Sequence, residues 1–195
     1  MYAFTTILAT ASLAVTALAS PNGGYGGWGS GKRPSWWNGR GGACMSDNDA
    51  QTVANHFNEL ISNYSNSSAD AYLTSDFNDY SDSVSELINN GCNAGPATLG
   101  AATFTSRTAF EAGQGSQPNI PFKQLNIWHN CDTVTLRWET TVMPGAPQAV
   151  RGIIVLESVY ENSKWLIKTV YSEFNSGAWL VDLGVFKPTN CSAPQ

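Results

Sequence analysis

Four alternating, largely apolar segments separated by turn residues occupy the second half of this chain, and they restrict what it can fold into. They fall near Phe122–His129, Thr133–Val142, Val150–Tyr160 and Trp165–Phe174. Asn130-Cys131-Asp132, Pro144-Gly145-Ala146-Pro147 and Glu161-Asn162-Ser163 lie between them, residues that reverse a backbone with little strain. In the second segment Val134, Leu136, Trp138, Thr140 and Val142 share one face, and Thr133, Thr135, Arg137, Glu139 and Thr141 share the other. That period of two describes a half-buried antiparallel sheet. In the last segment Trp165, Ile167, Thr169, Tyr171 and Glu173 share a face that is apolar and aromatic until it meets a carboxylate. Asn175-Ser176-Gly177 breaks this strand, and an apolar run from Ala178 to Phe186 follows, with Asp182 inside it.

The first half reads differently. Ser46 is placed to cap a helix, and Asp47 and Asp49 complement the positive end of that helix. Ala50, Val53, Ala54, Phe57, Leu60, Ile61 and Tyr64 then recur at three- and four-residue spacing. The helix stops in the polar Asn63–Ser68 cluster, and a short helix is expected over Ala69–Leu73. Thr74–Val84 alternates like a strand, with Asn78, Tyr80, Asp82 and Val84 on one face and Phe77, Asp79, Ser81 and Ser83 on the other. Ser85–Asn90 reads as a turn of helix ended by Gly91. Thr105 or Ser106 caps a third helix running through Arg107, Phe110 and Ala112 to Gly113. Helices first and a long antiparallel sheet second define an α+β class with the helices packed on one face.

Domain limits follow from shifts in texture. Phe4–Ala17 is an apolar, Ala/Thr-rich stretch and Ala17-Leu18-Ala19 is a small-residue cleavage signal, so residues 1–19 read as a signal peptide. Residues 20–43 are rich in Gly, with Pro, Tyr and Trp interleaved and no apolar period, and are expected to form a disordered tail. Trp28, Trp36 and Trp37 could make that tail a sticky arm; the plainer reading is a linker. The folded domain is expected over 44–188, with a C-terminal tail at 189–195. No segment has the run of about eighteen apolar residues that a membrane helix needs. The net charge is −5, and the stretch before Cys44 carries Lys32, Arg33 and Arg40 without an acid. An acidic domain argues against nucleic acid or an anionic membrane as partner. Together these features point to an exported, extracellular protein.

Four widely spaced cysteines, Cys44, Cys92, Cys131 and Cys191, suit that compartment as two disulfides, for which three pairings are open. Asn63, Asn66 and Asn190 each open an N-x-S sequon. His56 and His129 are the only histidines and have no metal-ligand spacing, and no nucleophile elbow, phosphate loop or dinucleotide fingerprint occurs. No metal or cofactor is implied.

The phrases DFNDYSDSV, TSRTAFEAGQGSQPNIP, LNIWHNCDTVTLRW, VRGIIVLE and WLIKTVYSEFNSGAWLVDLG resemble a group of secreted fungal proteins. These belong to the nuclear transport factor 2-like (SnoaL-like) superfamily. The likeness covers roughly Cys44 to Phe186. It implies a cone: a strongly curved antiparallel sheet wrapped by three N-terminal helices, open at one end and hollow inside. Relatives use such a cone as a cofactor-free dehydratase, isomerase or cyclase site, as a ligand-binding module, or as a dimer surface. The resemblance also implies pairing of Cys44 with Cys131, leaving Cys92 for Cys191.

Acid–base chemistry in such a cone needs proton carriers in a dry cavity. Asp82 and Tyr80 share a strand face, His129 sits where a strand turns, and Glu173 follows Tyr171 on the last strand. An Asp–His or Glu–His pair could move a proton beside a carbonyl while a tyrosine polarises its oxygen. Each residue also has a structural reading. His129 suits an ordinary turn, Asp82 could bond backbone amides, and Glu173 could pair with Arg107 or Arg137. Three functions follow. The first is a secreted module holding a small apolar or aromatic ligand against Tyr80, Trp138 and Tyr171. The second is a cofactor-free dehydratase or isomerase using Asp82, His129, Glu173 and Tyr80. The third is an extracellular interaction protein with a filled cone. A homodimer through the sheet is compatible with each.

Overall fold

The computed structural model describes residues 44–89, 99–141, 146 and 148–187, all within the compact unit Gly41–Gln195. Cys92, Cys191 and Asn190 lie outside the described residues, as do the expected signal peptide and both tails. Short polar side chains start every helix. In α1 (Asp47–Ser62) the Ser46 hydroxyl accepts from the Asp49 amide at 3.2 Å, and the Asp49 carboxylate accepts from the Ser46 amide at 3.0 Å. This reciprocal cap satisfies two donors that the helix cannot pair internally. The expected apolar stripe is buried at Ala50, Val53, Ala54, Phe57 and Leu60. Ser65 caps α2 (Asn66–Tyr72) by accepting from the Ser68 amide at 3.1 Å, so this helix begins three residues before the expected Ala69.

β1 (Leu73–Tyr80) is shorter than expected, and this corrects the placement of Asp82. The Ser81 hydroxyl accepts from the Val84 amide at 3.0 Å and opens α3 (Asp82–Ile88). Asp82 is therefore the first residue of a helix and not a strand residue sharing a face with Tyr80. The Asp/Ser-rich stretch reads as strand by alternation, but a serine that can cap wins over a strand with few apolar residues. α4 (Arg107–Gln114) starts from Ser106 as expected. Among the described residues four helices precede the meander, where three were expected.

β2 (Lys123–His129), β3 (Thr133–Thr140), β4 (Val150–Glu161) and β5 (Lys164–Phe174) form the expected antiparallel meander. The sheet order is β1-β5-β4-β3-β2, and β1 joins β5 in parallel, so the sheet is mixed. Register shifts between β2 and β3, and again between β4 and β5, mark bulges that bend the sheet. The second one corrects the face assigned to β5. Ile167 pairs with Ser158 and Thr169 with Glu157, so Lys168 is the extra residue. Ile167 therefore points inward on one side of the bulge, and Val170 and Ser172 point inward on the other. Thr169, Tyr171 and Glu173 lie on the opposite face. The apolar run after Asn175 is α5 (Ser176–Asp182), with the Asn175 side chain accepting from the Ala178 amide at 2.9 Å.

The core lies between α1 and the sheet, filled by Val53, Phe57, Leu60, Phe77, Phe110, Val134, Leu136, Ile154, Leu156 and Val170. Trp138, Gly152 and Phe174 stand side by side on β3, β4 and β5. Because Gly152 has no side chain, the rings of Trp138 and Phe174 meet over it, 5.8 Å apart at 69°. Phe122 stacks on the other side of Trp138 at 5.0 Å, and Trp179 of α5 packs on Phe174 at 5.1 Å. Aromatic pairs at such spacing attract beyond simple burial. At the opposite end of α1 the Cys44–Cys131 disulfide ties the start of the helix to the β2–β3 turn, across 87 residues of sequence. Closing a loop of that length stabilises the fold by about 4 kcal/mol.

A Cβ at Gly152 would lie 2.5 Å from the Glu173 carbonyl oxygen and 2.7 Å from both Phe174 Cβ and Trp138 Nε1. Gly152→Ala is expected to cost about 1–3 kcal/mol in urea unfolding. Gly177→Ala, whose Cβ would meet nothing nearer than 3.5 Å, is expected to stay within about 0.5 kcal/mol of the parent.

Candidate functional site

At the end of the sheet where β5 runs into α5, α3 takes the place beside β5 that β1 has vacated. The Phe174 amide donates to the Ser83 hydroxyl at 3.0 Å. The Glu173 carboxylate accepts from the Asp82 amide at 2.9 Å, from the Ser83 amide at 3.1 Å, and from the Ser83 hydroxyl. Glu173 thus anchors the first turn of α3 to the sheet, where the amides and the helix dipole favour a negative charge. It pairs with neither arginine considered for it. Arg107 instead engages Asp70 at 2.8 Å and Glu111 at 3.4 Å. Asp82 turns its Oδ1 to the Gly100 amide at 2.8 Å.

A cavity of 460 Å³ opens beside this anchor. Asp82, Ser83, Glu86 and Glu173 supply its polar wall, and Leu99, Leu180, Val185 and Phe186 supply its apolar wall. Ser176 and Gly177, at the start of α5, lie between them. The cavity is at the edge of the domain and not in the space between α1 and the sheet, which side chains fill.

Two of the expected catalytic residues, Asp82 and Glu173, meet here; the other two do not. His129 is on β2, three strands away from β5 across the sheet. There its Nε2 contacts Asp47 Oδ1 and its Nδ1 contacts the Asn130 carbonyl, each at 2.9 Å. The Asp47 hydrogen bond first, and then the Asn130 carbonyl, hold the imidazole above its usual range. The imidazole is thus hydrogen-bonded to the first residue of α1. Tyr80 and Tyr171 stack on one another at 5.3 Å on the sheet face opposite the core. Trp138 is buried among Phe122 and Phe174. Tyr80, Trp138 and Tyr171 thus do not line this cavity: the bulge at Lys168 turns Tyr171 outward, Tyr80 stacks on it, and Trp138 points into the packed core.

Asp79 is a functional candidate that the sequence reading passed over. It is 5% exposed, and its Oδ1 has no hydrogen-bond partner. Burial first, and then the nearby Glu173 charge, push its carboxyl up to about 7. Its place on the strand face of Phe77 is the sequence signal for its burial. Another polar cluster joins α1 to α2. The Tyr72 hydroxyl and the Ser68 hydroxyl both donate to the Glu59 carboxylate at 2.9 Å, and His56 stacks on Tyr72 at 3.9 Å. Burial holds His56 below its usual range, and the arrangement serves as a helix–helix lock. Among the described residues no three His, Cys, Asp or Glu side chains stand close enough to hold a metal ion. No helix of the described residues is long and apolar enough to cross a membrane.

A bent five-stranded sheet, closed by a parallel first strand and backed by a long N-terminal helix, defines the α+β cone class. The model of the NTF2-like domain matches residues 43–186, and the chain belongs to that family. An IdmH loop-truncation variant superposes with a TM-score of 0.50 at 14% identity, covering 69% of this chain and 99% of that one. A putative ketosteroid isomerase from Kribbella flavida gives 0.48 at 11% identity, with 76% and 84% covered. Nuclear transport factor 2 from Cryptosporidium parvum gives 0.48 at 9%, with 66% and 94% covered. At such identities the likeness is one of fold alone. No curated protein matches the chain.

Asp79 also has a consequence for stability. Its folded value lies above the 3.8 of a free carboxyl, so its contribution is fully present below pH 3.8 and is lost as pH rises toward 7. The full loss is about 4 kcal/mol at most. Asp79→Asn is expected to stabilise the protein at pH 8 relative to the parent and to flatten stability between pH 4 and 7, as read by thermal unfolding. Parent and variant tracking each other across that range would show that Asp79 titrates normally.

Proposed function

We propose that this chain is an exported NTF2-like binding module that holds a small molecule in the cavity between α3, α5 and the end of β5. The observation that carries this reading is the cavity itself. Its 460 Å³ falls in the range of small-molecule sites, and polar groups converge on one wall while an apolar wall faces them. Export is supported by the apolar Phe4–Ala17 stretch, the Ala17-Leu18-Ala19 signal and the Cys44–Cys131 bridge. Asn63 and Asn66, both exposed around the α1–α2 corner, suit glycosylation, as does the Asn190 sequon. Mass spectrometry of the secreted chain is expected to find a small molecule carried through purification. Gly177→Trp, which places an indole at the cavity, is expected to release it while leaving the unfolding midpoint nearly unchanged. Equal retention by the parent and the variant would place the ligand elsewhere.

The sheet face supports a second part of this proposal, a homodimer. Tyr80, Tyr171, Val155, Thr135 and Trp128, one residue from each strand, form a single register row across that face. Tyr171 is 44% and Trp128 53% exposed, and Ile153 extends the apolar surface. Arg137 and Glu157 lie on opposite sides of the row, and neither has an ion pair among the described residues. A two-fold axis through the row would set the Arg137 of one copy against the Glu157 of the other. Light scattering is expected to report a dimer at micromolar concentration and a monomer for Val155→Asp. A monomeric parent at about 100 µM would remove this part of the proposal.

A further inference from the structure

The cavity carries one charge sign. Asp82, Glu86 and Glu173 line it, and among the described residues no lysine, arginine or histidine does. None of the three acids has an ion pair among the described residues. Glu173 is committed to the first turn of α3, and Asp82 commits one oxygen to Gly100. The Glu86 carboxylate makes no hydrogen bond among the described residues. Asp82 and Glu86 stand four residues apart on one helix face, a like-charge placement that costs stability. The three carboxylates are not grouped closely enough to hold a metal ion. Their charge therefore suits a cation with a larger radius.

The opposite wall fixes the rest of the ligand. Leu99 is 58%, Val185 42% and Phe186 51% exposed, and all three line the cavity with Leu180. Exposed apolar side chains gathered beside unpaired carboxylates form a surface with a cationic half-site and a hydrocarbon half-site. The ring of Phe186 also offers a π-face to a positive charge. An anion would meet three like charges, and a neutral hydrocarbon would leave Glu86 desolvated without a partner.

We infer that the ligand of this cavity is an organic cation, a substituted ammonium group at Glu86 and Asp82 with an apolar body against Leu180, Val185 and Phe186. The inference rests on the cavity being the binding site. Titration of the isotope-labelled full chain with hexyltrimethylammonium, 1-hexanol and hexanoate, followed by amide shifts in α3 and α5, tests both. Hexyltrimethylammonium is expected to bind about tenfold more tightly than 1-hexanol, and hexanoate to cause no shift. Glu86→Gln is expected to weaken the cation about threefold to tenfold and leave 1-hexanol unchanged, and Phe186→Ala to weaken both. Equal affinities for the cation and the alcohol, with Glu86→Gln silent, would overturn the cation while the cavity stands. Tighter binding of hexanoate would do the same. If none of the three probes shifts an amide of α3 or α5, the cavity reading falls together with the ligand class.

Discussion

The absence of a side chain at Gly152 governs more of this structure than any side chain does. Two bulky rings from the flanking strands meet over that residue, and the seam they begin extends through Phe122 to the α1 side of the core and through Trp179 to α5. A methyl group at Gly152 would push Trp138 and Phe174 apart, and with them the helix that forms one wall of the cavity. The seam is built of aromatic rings and carries no charge, so its strength comes from shape and is nearly independent of pH and salt. The α5 wall of the site thus rests on contacts that carry no charge.

The cavity wall opposite α5 is held by charge. Glu173 binds α3 through two amides and a hydroxyl, and the Phe174 backbone next to it adds two further hydrogen bonds to Ser83. The carboxylate is stabilised by the helix it anchors, so the contact works in both directions. The same charge helps to keep the buried Asp79 carboxyl protonated well above the usual carboxylate range. One residue thereby sets the position of a helix, the sign of the cavity and the protonation of a neighbour. The acid–base reading gave Glu173 a catalytic role; its hydrogen bonds give it an architectural one, and its place on the cavity wall leaves its field available to a ligand.

The fold was legible in the sequence wherever periodicity was clean. The α1 stripe from Ala50 to Leu60 and the alternation of β3 read directly, because each buries one face against a single neighbour. The site was less legible, for two physical reasons. The bulge at Lys168 shifts the period of β5 by one, so residues counted as sharing a face lie on opposite ones; no local residue announces it. The stretch from Ser81 to Ser85 has the composition of a helix start, but its alternation with Phe77 and Tyr80 reads as strand. Both misreadings moved tyrosines into a pocket and a carboxylate onto a strand. His129 shows a third limit. The meander order alone sets β2 three strands from β5, and only a tightly closed sheet would bring His129 back to Glu173.

The Cys44–Cys131 bridge has a mechanical meaning as well. The chain enters the domain at Cys44, and the sulfur there is joined to the β2–β3 turn. Tension applied to any residue preceding it divides at Cys44 between the backbone into α1 and the covalent link into the β2–β3 turn. The first turn of α1 and its cap therefore do not carry such a load alone.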